Sequence, residues 1–331
     1  MFDDKVVLVT GGTGSFGQKF TSYLFRNYKP RKVVIFSRDE FKQFEMSATF
    51  HEPEHEIRYF IGDIRDKERL YRSFEGVDYV VHAAALKQVP AAEYNPFEAV
   101  KTNILGAQNI IDAAIDRGVK KVIALSTDKA VSPINLYGAT KLAMEKLLIA
   151  ANAYVGTKDT CFSVVRYGNV IGSRGSVIPF FKSYMNNGGR KLPITDERMT
   201  RFWITLQQGV ELVSRAAHEA VGGEVFVPKI PSMRILDLVS AVAPDCEYEV
   251  IGIRAGEKLH ESLISKDEGR NTVDMDDHYV ILPLSANGSK KYHKYSKYPK
   301  MPEGFSYRSD TNDHWLSEKD LALLAGGAES H

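Results

Sequence analysis

Short apolar runs alternate with amphipathic stretches through the first half of the chain. Residues 5–10, 32–36, 57–64, 78–85, 121–125 and 160–170 are rich in Val, Ile and other apolar side chains and are bounded by glycine or polar clusters. Consecutive apolar positions suit strands covered on both faces, as in a parallel sheet. Between them, residues 18–27, 99–116 and 137–151 carry helical spacing. The alternation predicts an α/β fold, a Rossmann-type doubly wound parallel sheet, over residues 1–170.

After residue 170 the pattern changes. Residues 204–220 predict a helix with Val210, Leu212, Val213 and Ala217 on its apolar face. Short strands are predicted at 224–228, 248–253 and 279–282, and short helices at 236–242 and 257–264. This is a smaller mixed α/β C-terminal substrate lobe, residues 171–331, free to interleave with the first domain. Residues 285–303 are polar, lysine-rich and without periodicity, which predicts a loop.

Composition adds mostly exclusions. The 331 residues are 44% hydrophobic and 26% charged, the balance of an ordinary soluble enzyme. A formal net charge of +1 gives no electrostatic reason for a nucleic-acid or anionic-membrane partner. No apolar run approaches the roughly 18 residues of a membrane span. Residues 1–5 lead straight into a strand with no signal peptide ahead, so a cytoplasmic protein is expected, with Cys161 and Cys246 as free thiols. The nine histidines show no metal-ligand spacing, and no metal site is expected.

The first strand runs into Gly11-Gly-Thr13-Gly14-Ser15-Phe16-Gly17 and then a helix. Strand, glycine-rich turn, helix is the context a dinucleotide fingerprint requires. Glycines at 11, 14 and 17 allow a tight turn, close approach of backbone to a pyrophosphate and close helix–strand packing. The second strand ends in Ser37-Arg38-Asp39-Glu40, with Lys42 close behind. A guanidinium here suits the 2′-phosphate of NADP, which a carboxylate would repel. The competing reading makes Arg38 a solvated cation and gives the ribose to Asp39. Asp63, followed by Ile64, either accepts from the adenine amine or caps the next helix. Ala83 is small enough for a cofactor to lie against its strand end, and Lys87 stands at the same edge as a phosphate or substrate contact.

Ser126-Thr127-Asp128-Lys129 follows the strand at 121–125. Tyr137 and Lys141 come next on a helix, four apart and so on one face. An ammonium one turn away is expected to lower a phenol's pKa from near ~10. The phenolate can then take the proton of a sugar hydroxyl while a hydride leaves the same carbon. Asp128 and Lys129 lie at the carboxyl end of a strand, where open α/β sheets place their chemistry. In isolation Asp128 reads as a turn residue and Lys129 as a surface cation; beside a tyrosine–lysine pair they read as acid–base groups.

Residues 10–17 with Tyr137-x-x-x-Lys141 resemble the extended short-chain dehydrogenase/reductase superfamily of nucleotide-sugar enzymes. Within it, residues 37–40, 82–87, 126–141, 166–170, 172–175, 199–205 and 226–232 resemble the inverting UDP-N-acetylglucosamine 4,6-dehydratases that begin pseudaminic acid synthesis for flagellin glycosylation. The likeness runs from residue 5 to about residue 323 and is weakest over 285–305. Asp128-Lys129 is its most specific part: retaining 4,6-dehydratases are similar here but carry Asp-Glu and a longer insertion before their tyrosine. The resemblance implies tightly bound, recycled NADP, UDP-N-acetylglucosamine as substrate, and a dimer-based homo-oligomer with a hexamer among the candidates. It implies that Lys129 takes the proton on sugar carbon 5 and Asp128 protonates the departing 6-hydroxyl, which demands a partly neutral lysine and a protonated aspartate. Thr127 would hydrogen-bond the 4-oxygen, and Lys141 the nicotinamide ribose. Lys87, Arg174 and Arg254 are candidates for the diphosphate, Asn169 and Thr195 for polar contacts, and Glu257 for a hydroxyl; Arg198 and Arg201 stand as structural alternatives. A sugar-nucleotide 4-epimerase shares the tyrosine and its lysine but needs no Asp-Lys pair. A non-catalytic NADP sensor would need neither.

Overall fold

The computed structural model describes residues 1–50, 56–171, 177–286 and 288–326. Its strands are β1 (Val6–Thr10), β2 (Lys32–Ser37), β3 (Ile57–Ile61), β4 (Tyr79–His82), β5 (Lys121–Thr127), β6 (Cys161–Tyr167), β7 (Asn169–Val170), β8 (Lys191–Ile194), β9 (Thr200–Ile204), β10 (Val225–Pro228), β11 (Ser232–Arg234), β12 (Glu247–Val250), β13 (Ser262–Ile264), β14 (Thr272–Asp274), β15 (His278–Ile281) and β16 (Tyr307–Arg308). One nine-stranded sheet runs in the order β14-β15-β10-β6-β5-β4-β1-β2-β3. From β3 to β10 every pairing is parallel; β15 and β14 close the edge antiparallel. All residues of β1 and β6 are buried, as their consecutive apolar side chains require of strands covered on both faces. The winding reverses between β1 and β4. The crevice outside their carboxyl ends is where such sheets bind ligands.

The chain does not divide at residue 170. β10, β14 and β15 follow it, yet they extend the main sheet beside β6 and share its core. The smaller lobe is built from the three-stranded β11-β9-β7, the pairs β12-β8 and β13-β16, and a separate core around Phe181, Leu192, Trp203, Met233 and Leu238. Arg166, on β6, crosses between the two parts: its buried guanidinium is bidentate to Glu145 (3.1 and 2.6 Å) and also meets Glu268 (3.1 and 3.0 Å).

Three expectations need correction. The helix expected at 257–264 is irregular backbone ending in β13; Gly256, at φ 76°, and the pairing of β13 with β16 hold it extended. The loop expected at 285–303 contains 3-10 turns at Leu284–Ala286 and Lys290–Lys297. Tyr292 and Tyr295 anchor the second turn by donating to Gly222 O (2.6 Å) and to the buried Glu224 (3.0 Å). The single helix expected at 99–116 is interrupted by a π-helical turn, Lys101–Leu105, before Gly106–Arg117. There Asn103 exchanges two hydrogen bonds with the Leu86 backbone (2.9 Å each) and donates to Thr140 (3.0 Å).

Candidate active site

At the sheet's crevice, Gly11 leaves β1 with φ 66° and its N–H bonded to Phe36 O (2.8 Å). A Cβ there would lie 2.9 Å from the Ala84 backbone, beside Ala83, so only glycine keeps the turn tight against the end of β4. A Cβ on Gly17 would sit 2.3 Å from Gly12 O. Gly14 precedes the helix Ser15–Asn27 and offers its first N–H groups no side-chain cap. Thr13 is buried, Gly14 and Ser15 are exposed, and Phe16 stacks on Phe20. The cradle has the shape and the unused donors that a dinucleotide pyrophosphate needs.

The end of β2 separates the two readings of Arg38 and Asp39. Asp39 caps the helix Glu40–Thr49, accepting from Lys42 N (3.1 Å), and pairs with Lys42 Nζ (3.0 Å). Arg38 is exposed and lies 3.7 Å from Asp63. Buried Ser37 accepts from Gln43 (3.0 Å). The cap of the helix Lys67–Ser73 is Asp66, so the capping role considered for Asp63 falls away. Asp63 instead accepts from Arg65 N and its guanidinium (2.9, 2.9 and 2.7 Å). Ile64 is buried under Gly106, where a Cβ would lie 2.8 Å from its side chain, and Lys87 is exposed.

β5 carries the polar cluster. Its last residues, Ser126 and Thr127, are buried, and a one-turn 3-10 helix, Asp128–Ala130, follows. Asp128 is fully buried; Oδ1 accepts from Thr127 (2.8 Å) and Lys129 Nζ (3.0 Å), while Oδ2 has no hydrogen-bond partner among the described residues. The helix Leu136–Ala151 delivers Tyr137 to the same place. Its cap Asn135 accepts from Gly138 N (2.8 Å) and donates to Gly256 O (2.7 Å), tying the helix to the loop before β13. Gly138 lets the helix press on the 3-10 turn, since a Cβ there would be 2.1 Å from Lys129 O.

The electrostatics differ from expectation at two residues. Burial pushes the Tyr137 phenol up to about 12; the cation that draws it down is Lys129, assisted by the neighbouring Thr127 hydroxyl. Lys141 donates to Leu125 O (2.6 Å), and burial pushes it down to about 8. The lysine one turn away is therefore occupied with backbone. Lys129 was expected to be partly neutral. Burial does disfavour its charge, but Asp128 and Glu261 outweigh burial and hold its ammonium above the ordinary value. Nearby, His82 accepts from or donates to Thr10 (2.8 Å) through Nδ1, and burial keeps it neutral, down to about 3.

Around this centre, Asn169 approaches Lys129 Nζ at 3.4 Å, held there by the pairing of β7 with β9. Glu257 lies 3.6 Å from Arg201, which places Arg201, a structural alternative by sequence, at the site wall. Thr195 is buried against Met199, whose sulfur also accepts from Arg201. Arg254 is exposed on the same loop as Glu257, Arg198 pairs with Asp196 on the surface (2.7 Å), and Arg174 lies outside the described residues. Sequence reasoning missed Glu261, Lys258 and Tyr167. Glu261 is 3% exposed and 3.6 Å from Lys129; Tyr167 sits opposite Thr127 in the sheet, close enough to Tyr137 to feel its charge. Among the described residues no His, Cys, Asp or Glu cluster is arranged for a metal, and no helix is long and apolar enough to cross a membrane.

Residues 7–283 match the family model described as polysaccharide biosynthesis protein. A UDP-N-acetylglucosamine 4,6-dehydratase (inverting) of Campylobacter jejuni is 57% identical, with 99% of each chain covered. A UDP-glucose 4-epimerase of Rickettsia massiliae is 45% identical over 85% of this chain and 84% of its own. The solved structure of Pen from Bacillus thuringiensis superposes with a TM-score of 0.90 at 40% identity, covering 99% of this chain and 98% of that one. The chain belongs to the polysaccharide biosynthesis protein family and, over its whole length, is a relative of the inverting UDP-N-acetylglucosamine 4,6-dehydratases.

Proposed function

We propose that the chain is an NADP-dependent UDP-N-acetylglucosamine 4,6-dehydratase, a hydro-lyase giving a UDP-2-acetamido-2,6-dideoxy-4-hexulose with inversion at carbon 5. The observation that carries this reading is the buried Asp128–Lys129 pair, 3.0 Å apart, whose charges both act on Tyr137. Gly11, Thr13, Gly14, Ser15, Phe16 and Gly17 would hold the cofactor's pyrophosphate. Ser37 and Arg38 would meet its 2′-phosphate, since Asp39 is engaged in capping. Asp63, Ile64, Ala83, Ser126 and Lys141 would line the rest, with Lys42 adding charge and Lys87 reaching a phosphate.

When bound, the nicotinamide would supply a hydride acceptor for carbon 4 and a hydride donor for carbon 6. Tyr137 would take the 4-hydroxyl proton once the Lys129 ammonium and the positive charge of a bound oxidised nicotinamide draw its buried phenol down from about 12, with Thr127 on the same oxygen. The resulting ketone acidifies the proton on carbon 5; after water has left, hydride at carbon 6 and a solvent-derived proton on the opposite face of carbon 5 would complete the inverted product. Asp128 and Lys129 are paired at 3.0 Å. With the proton held on Lys129, the pair offers a carboxylate base at Asp128 Oδ2 and an ammonium acid for the leaving 6-hydroxyl. That reverses the roles implied by resemblance, for the electrostatic reason above. Asn169, Thr195, Arg254 and Glu257 would bind the nucleotide sugar, with Arg174 as a further diphosphate contact. The same reading carries a cytoplasmic, dimer-based oligomer at the start of pseudaminic acid synthesis.

A second reading, a UDP-sugar 4-epimerase, is favoured by the relative of that name. Incubation with UDP-N-acetylglucosamine in deuterated water, followed by NMR and mass spectrometry, separates the two. Loss of water with deuterium at carbon 5 in inverted configuration is expected. A 4-epimer with unchanged elemental composition would sink the dehydratase.

A further inference from the structure

Lys129 and Asp128 are neighbours on one short turn, yet the lysine's flexible stem gives no reason for its ammonium to stay folded back on the adjacent carboxylate. What it also meets is Glu261. This residue enters β13 with its backbone N–H bonded to Ser309 Oγ (2.9 Å) and its carbonyl accepting from Ser309 N (2.9 Å). Ser309 is in turn bonded to Thr200 on β9 (2.7 Å). The Glu261 carboxylate is thus fixed by two strands of the smaller lobe and aimed inward at the main sheet.

Its environment is unusual for a structural acid. It is 3% exposed, and Oε2 has no hydrogen-bond partner among the described residues. Instead three cations surround it: Lys129 at 3.6 Å, Lys258 at 3.8 Å and Arg201 at 3.9 Å. Lys258 is committed to Val131 O (2.6 Å), and Arg201 to the carbonyls of Thr200 and Leu259 (2.7 and 3.1 Å). Lys129 donates to no backbone carbonyl among the described residues; its contacts are Asp128, Asn169 and Glu261. A buried carboxylate this close to a cation is held by that cation's charge and holds the cation in return.

We propose that Glu261 is a positioning residue for the acid–base pair: together with Asp128 it holds the Lys129 ammonium between two carboxylates and keeps it charged and directed into the site. The groups facing Lys129 are Asp128 on its own turn, Glu261 at β13, Arg201 on β9, Asn169 on β7, Lys258 on the loop before β13, and Tyr137 on the helix Leu136–Ala151. Of these only Asp128 and Glu261 are carboxylates. Removing one should therefore release the lysine's proton more easily, an effect that a merely structural acid would not have. Arg201 lies between Glu261 and Glu257, 3.9 Å from the one and 3.6 Å from the other.

The role of Lys129 in turnover rests on the dehydratase reading, but its titration does not. The test is NMR of lysine-labelled protein with no substrate, the Lys129 signal being assigned by its loss in Lys129→Arg. In Glu261→Gln, an isosteric change, the Lys129 titration is expected to fall by about a unit or more, a tenfold or greater loss of proton affinity. Glu261→Asp, which keeps the charge, is expected to fall by less. In turnover, Glu261→Gln should show an alkaline limb absent from the parent. An unmoved Lys129 titration in both variants would overturn the proposal, even where activity is lost. A moved titration with no turnover on any UDP-sugar would uphold it and sink the dehydratase reading.

Discussion

At the scale of single residues, the site is a small group of buried charges whose roles separate by variant. Asp128→Asn should lower dehydration by about 10²–10⁴, the range of acid–base groups, while leaving oxidation at carbon 4 intact; Lys129→Met should lower both, since it also removes the cation that draws the Tyr137 phenol down. Single-turnover absorbance at the reduced-nicotinamide band, followed alongside product formation, checks this: a band that forms and persists is expected of Asp128→Asn. Lys141 makes a prediction about stability. Its folded pKa of about 8 lies below the ordinary 10.5, so between those values the folded chain binds fewer protons than the unfolded chain. The penalty for its buried charge is in full force below pH 8 and vanishes as pH rises to 10.5. Lys141→Met should therefore melt higher than the parent at pH 7, by an amount set by about 3 kcal/mol less the lost bond to Leu125. Melting curves should show that advantage disappearing towards pH 10.5. Tyr137, Lys141, Asp128 and Lys129 were legible together in the sequence because they lie within fourteen consecutive residues. Glu261 and Tyr167 were not: each is an ordinary residue in an ordinary segment until β13 and β6 bring it across the sheet's edge.

At the scale of elements, the tyrosine helix and the 3-10 turn act as one part. Gly138→Ala would place a methyl 2.1 Å from Lys129 O, so one of the two must move. A loss of turnover of at least tenfold is expected, with a stability loss of about 1–3 kcal/mol from overpacking. Cofactor titration by fluorescence, compared with turnover, checks it: turnover should fall more than affinity, because the contact is made at the 3-10 turn and not within the Gly11–Gly17 cradle. The long elements were readable because a buried parallel strand or a capped helix leaves a run of six or more consistent positions. β11, β13 and β14 have three residues each, too few for any period. Residues 257–264 carry helix-forming side chains overruled by Gly256 and by the pairing with β16. Likewise the buried hydroxyls of Tyr292 and Tyr295, and not any spacing, order the lysine-rich turn.

At the scale of the whole molecule, the interleaving of the two parts decides what can fold alone. β6 gains its second neighbour in the sheet only when β10 pairs with Val164 and Val165, and β10 follows the whole of β7, β8 and β9 in sequence. A fragment of residues 1–170 should expose that edge and self-associate, which size-exclusion chromatography would show as species larger than monomer or dimer. A stable monodisperse fragment would mean that β5 and β6 need no neighbour. The same strand order has a consequence for the chain while it is being made. More than a hundred residues separate the end of β6 from the end of β15, and at bacterial elongation rates of about 5–20 residues per second that is roughly six to twenty seconds on the ribosome. Throughout that interval the nascent sheet has an adhesive, uncovered margin, available to chaperones and to neighbouring nascent chains alike. Faster decoding between residues 167 and 225, by synonymous codons alone, should therefore raise the soluble yield without altering one atom of the finished enzyme.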